Sequence, residues 1–250
     1  MTRYFVSNHH VPLVFEFCGV AGAGKTTVAR AVLSKLNEAG MQCRTRSQIT
    51  DAFWSDEYTS IQRAKHLFAR DIRVSRLRYA LIKYGLGYGA SDCDRLKHLA
   101  RMSAAWSWWL TVKLQEDATP WLLDEWLVHI ICDPGIGLNK GYTAYGQELL
   151  KCVIDIPRLY LVYFEANPST SAKRILQRPD THYYPERLPY EEILDLFTTG
   201  VKRYGQSIDF LEGIKVPVLR VDGEDKTVTT AERITRWMLE QDETSLEGDP

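Results

Sequence analysis

Eight consecutive residues, Gly19-Val20-Ala21-Gly22-Ala23-Gly24-Lys25-Thr26, fit the pattern G-x-x-x-x-G-K-[ST] without a mismatch. Glycines at these places let the backbone turn successive N–H groups inward. A helix that starts at the end of the loop adds its positive N-terminal end, so an anionic phosphate chain is held from several sides. The spacing therefore assigns Gly19, Gly22, Ala23, Gly24, Lys25, Thr26 and Thr27 to a phosphate grip. Lys25 is expected to reach the β- and γ-phosphates of a nucleoside triphosphate, and the Thr26 hydroxyl to ligate Mg²⁺. The chemistry implied is handling of Mg-ATP.

Other residue types that suit this chemistry lie downstream. Asp124 closes the run Trp121-Leu122-Leu123-Asp124 and is expected to hold the Mg²⁺ shell opposite Thr26, and Glu125 follows it directly. A hydroxyl acceptor gains from a carboxylate base, for which Asp51 and Glu125 are candidates. A phosphate acceptor needs cations instead. Arg44, Arg46, Arg70, Arg73 and Arg76 are candidates for that task, and solvated surface is their ordinary alternative. Trp106, Trp108, Trp109, Trp121 and Trp126 bracket the third strand, where an indole either stacks on a ring or fills the core.

The elements that must place these residues are legible from periodicity. Leu13 to Cys18 is a short apolar run ending at the glycine-rich turn, as a buried parallel strand does. Val28, Ala31, Val32 and Leu36 repeat at helical spacing, and Gly40 stops that helix. Further strands are expected at Met41 to Arg46, Trp121 to Asp124, Leu159 to Phe164 and Val216 to Val221. Ile193, Phe197, Val201, Tyr204, Ile208 and Leu211 form one stripe of a long helix expected against the sheet, and Thr229 to Glu240 makes a closing helix. Strands alternating with helices define an α/β doubly wound fold with a five-stranded parallel sheet.

The chain resembles the thymidylate kinase-like branch of the nucleoside and nucleotide kinase superfamily. The resemblance rests on the loop Gly19 to Thr26, on the acidic pair Asp124-Glu125 after the third strand, and on Asn167-Pro168 opening a helix that carries Arg174 and Arg178. It implies a P-loop three-layer α/β/α sandwich with a helical substrate-binding insertion at about 55–115 and a lid at about 174–190. It implies one kinase-like domain over 1–240. It also implies that Arg174 and Arg178 close over the transferred phosphoryl group, and that the turn Gly223-Glu224-Asp225-Lys226 packs on adenine. Glu125 departs from the pattern, standing where the family places an arginine, so the acceptor need not be a standard nucleotide.

Composition bounds the rest. The 250 residues carry a net charge of −1, 45% hydrophobic and 25% charged side chains, values of an ordinary globular protein. Arginines and lysines crowd residues 63–101, which keeps a polynucleotide acceptor open beside a nucleoside- or nucleotide-like small molecule; a homodimer is also left open. The acidic stretch 241–250 is expected to be a flexible tail. Five cysteines without ligand spacing read as free thiols. With no leader-like N-terminus and no apolar run near the roughly 18 residues of a membrane span, a cytoplasmic protein is expected.

Overall fold

The computed structural model describes residues 12–48, 119–124, 126–132, 150–151, 153–154, 156, 158–178 and 188–247. Within them the elements run β1 (Val14–Cys18), α1 (Lys25–Glu38), β2 (Arg44–Thr45), β3 (Trp121–Asp124), α2 (Leu127–Cys132), β4 (Leu159–Glu165), α3 (Pro168–Leu176), α4 (Tyr190–Gly213), β5 (Val218–Asp222) and α5 (Thr227–Glu247). All five strands are parallel, in the order β2-β3-β1-β4-β5.

β1 sits at the centre and every one of its residues is buried, which explains its near-continuous apolar run. Consecutive strand residues face opposite sides of a sheet. Phe15 meets the Trp237 ring of α5 edge-on at 6.0 Å between centroids, while Glu16 reaches α2. Helices therefore cover both faces: α1 and α5 on one, α2, α3 and α4 on the other. The sheet is an inner layer, and its C-terminal edge is where loops gather.

Among the described residues the expected strands and helices are found, with shifted ends. β2 spans only Arg44–Thr45 rather than Met41 to Arg46. The Met41 N–H donates to the Leu36 carbonyl and closes α1, while Arg46 already opens a helical turn. β5 starts at Val218 rather than Val216, because the Val216 N–H is spent on Leu211 at the end of α4 and Pro217 has no N–H to give. α5 begins at Thr227 and continues past Glu240 to Glu247, so helical backbone enters the stretch expected to be a flexible tail. α3 starts as its sequence implies: the Asn167 side chain accepts the N–H groups of Ser169 and Thr170, with Pro168 in the first turn.

The stripe on α4 is buried at Ile193, Phe197, Tyr204, Ile208 and Leu211. It meets the sheet through Tyr204, stacked on Tyr163 of β4 at 6.2 Å, and also packs on α2 and α3. Arg220 of β5 ties the far end of α4 in place through Asp209 and Glu212, at 2.6 and 2.7 Å. Among the described residues no helix is long and apolar enough to cross a membrane. Asp51, Glu125, Arg70, Arg73, Arg76, Trp106, Trp108, Trp109, the 55–115 insertion and the 179–187 part of the expected lid lie outside the described residues.

Candidate functional site

The loop between β1 and α1 is built from positive-φ glycines. Gly22 and Gly24 have φ of +78° and +93°, and Gly24 caps α1, whose first residue is Lys25. Gly22 is also tight: a Cβ there would lie 2.6 Å from the carbonyl oxygen of Ser171 in α3. Glycine is required on both grounds. Lys25 is buried, and its ammonium donates to the Gly19 and Val20 carbonyls at 2.8 Å each, which centres its charge in the loop. Thr26 and Thr27, in the first turn of α1, are exposed.

Two clefts flank that turn. The larger, about 450 Å³, is lined by Thr26, Arg30, Thr45, Arg46, Ser47 and Asp124, over an apolar floor of Ala29, Leu33 and Leu122. Asp124, at the end of β3, thus borders the same space as the Thr26 hydroxyl. Arg46 lies beside them and donates to the Asp124 carbonyl at 3.3 Å. Arg44 instead lies over the Trp121 ring, 5.5 Å from its centroid, and does not line the cleft.

The smaller cleft, about 290 Å³, lies on the other side of the loop. Gly22, Ala23, Gly24 and Thr27 form one wall, and Arg174, Arg178, Asp222, Gly223, Asp225 and Thr230 form others. Arg174 donates to the carbonyls of Gly22 and Gly223, at 3.2 and 3.0 Å, and so braces the glycine loop against the β5–α5 turn. That turn presses close: a Cβ on Gly223 would stand 2.8 Å from the Ala23 carbonyl oxygen. Thr230 is buried, and among the described residues its hydroxyl has no hydrogen-bond partner.

The structure therefore gathers Gly19, Gly22, Ala23, Gly24, Lys25, Thr26 and Thr27 at one sheet edge, with Asp124 and Arg46 to one side and Arg174 and Arg178 to the other. Trp121 and Trp126 do not join them. Both are buried, at 1% and 3% exposure, and the Trp121 ring faces Arg44, so neither ring faces either cleft. Their place among apolar strand and helix residues decides between the two readings of those indoles.

Glu16 is the site residue that sequence reading passed over. It lies fully buried in the middle of β1, and one carboxylate oxygen accepts the N–H groups of Trp126 at 3.2 Å and His129 at 3.0 Å. Among the described residues the other oxygen has no partner. Burial raises its pKa from 4.5 to about 7, the N–H groups at the start of α2 offsetting only part of that rise. A carboxylate inside an otherwise apolar strand marks a buried acid that needs a partner, though not which element supplies it. His129 is gripped in turn by the Tyr204 hydroxyl, 2.6 Å from Nδ1.

Cys18 and Cys132 are buried free thiols and Cys43 is half-buried; burial first, then Glu16, drives the Cys18 pKa upward and makes it a poor nucleophile. Among the described residues no group of three or more His, Cys, Asp or Glu gathers as a metal cluster. No protein-family model and no curated protein matches the chain.

Proposed function

We propose that this chain is an ATP-dependent phosphotransferase of the P-loop class, similar to the thymidylate kinase-like nucleotide kinases, acting on a small-molecule acceptor. The observation that carries the reading is the pair of clefts meeting at the first turn of α1, one reached by Thr27 and the other by Thr26. A triphosphate lying across the loop has its nucleoside end at the Arg174–Gly223 side and its terminal phosphate toward Asp124. The strand order, with β1 central between β3 and β4, puts this loop at the switch point where ligands of open α/β sheets bind.

Magnesium suits the oxygens available. Thr26 and Asp124 are hard ligands on one cleft, and Mg²⁺ takes only one or two protein ligands beside phosphates and waters. When bound it would neutralise charge on the phosphates. Lys25 contributes a fixed cation at the β/γ position, the loop N–H groups orient the phosphates, and Arg46 and Arg30 place the acceptor by charge and hydrogen bonding. Arg174 holds the loop in shape through its two carbonyl contacts.

The test is ADP release from Mg-ATP, first alone and then with pooled nucleosides, nucleotides, sugars and oligonucleotides. Release that depends on one small-molecule pool supports the reading, and Lys25→Ala abolishes it. Brisk release with no acceptor would instead make the protein a nucleotide-driven switch.

A further inference from the structure

The chain must leave β3 at Asp124 and begin α2 at Leu127, with Trp126 in the capping position. An indole has no acceptor with which to cap a helix, so the first N–H groups of α2 need one from elsewhere. Glu16 supplies it from the neighbouring strand, through a single oxygen that takes Trp126 N–H and His129 N–H. On the other side, the Asp124 carbonyl is held by Arg46. Asp124 is thus fixed by a bond to its own carbonyl and by a clamp two residues further on.

We propose that Glu16 is a positioning residue that sets the place of the Asp124 carboxylate, and thereby the affinity of the site for Mg²⁺ in the nucleotide complex. The inference rests on the reading of Thr26 and Asp124 as the metal side of a triphosphate site. Glu16 lines neither cleft and acts only through backbone. What it must provide is an acceptor at the right reach, not a charge. Gln keeps that acceptor, Asp keeps the carboxylate but is one methylene too short, and Leu removes the acceptor.

The experiment measures binding of a fluorescent, non-hydrolysable ATP analogue to the full chain, in Mg²⁺ and in EDTA. Wild type binds more tightly in Mg²⁺, and Glu16→Gln keeps that ratio. Glu16→Leu and Glu16→Asp lose it by about tenfold, the scale on which residues behind a metal ligand act, while affinity in EDTA is unchanged. A merely structural loss lowers both affinities together and would overturn the proposal. So would a folded Leu or Asp variant with the wild-type ratio, or a Gln variant as defective as Leu. Cooperative thermal unfolding identifies folded variants, and if Leu does not fold, Asp against Gln carries the comparison. Wild type that binds no analogue in either buffer removes the triphosphate reading itself, and does so before any variant is made.

Discussion

Gly22 has two independent reasons to be glycine, a left-handed φ of +78° and a Cβ site 2.6 Å from backbone of α3. Gly22→Ala strains the loop and pushes α3 away, at a cost of about 1–3 kcal/mol, and weakens triphosphate binding more than it weakens the fold. Calorimetric unfolding and analogue titration on the same variant check both parts. Glu16 gives a prediction in pH. Its folded pKa of about 7 lies above the ordinary 4.5, so the folded protein binds the extra proton more tightly than the unfolded chain. The contribution to stability is therefore full below about pH 4.5, declines as pH rises toward 7, and is flat above. Its span is about 3 kcal/mol at 1.36 kcal/mol per pKa unit. Denaturant titrations should find wild type losing about that much relative to Glu16→Gln between pH 4.5 and 8. Parallel curves would contradict the raised pKa.

At the scale of elements, α2 is a six-residue helix that cannot stand alone and depends on what holds its ends. Glu16 holds the start, and Tyr204 of α4 reaches His129 through both its ring nitrogen and, at 3.3 Å, its carbonyl. Tyr204→Phe leaves the ring stacked on Tyr163 but removes those bonds. It should cost about 1–2 kcal/mol in chemical unfolding without changing the EDTA affinity for an ATP analogue. Elements of this kind also mark how far the sequence could be read. β1, β3, β4, α1 and α4 carry a clear period or a nearly continuous apolar run, and each is where its pattern places it. The ends of β2 and β5 depart from their sequence patterns because hydrogen bonds, not propensity, decide them: Met41 and Val216 look like strand residues but serve the ends of α1 and α4. α2 and its dependence on Glu16 were invisible, since a helix capped from another strand leaves no local signature. The glycine loop, Lys25, Thr26 and Asp124 were legible because their spacing and strand-end position are local. That Arg46 and Arg174 lie on opposite sides of the loop needed the sheet order, which puts β2 and β3 on one side of β1 and β4 on the other.

At the scale of the molecule, the central strand carries the glycine loop, and the flanking strands place residues on either side of it. β3 delivers Asp124, and the segment after β4 delivers Arg174 and Arg178. β2 and β5 close the two clefts at the sheet's edges, through Thr45 and Arg46 at one and Asp222 and Gly223 at the other. The central claim is that a phosphoryl group moves from the loop into the larger cleft. The most direct test supplies ATP labelled in its γ-phosphate and follows the label chromatographically in the presence of the acceptor pool that stimulates ADP release. The account predicts label recovered covalently on the acceptor, lost in Lys25→Ala and reduced by at least about tenfold in Asp124→Asn. Label recovered only as inorganic phosphate, at a rate indifferent to every acceptor, would contradict it.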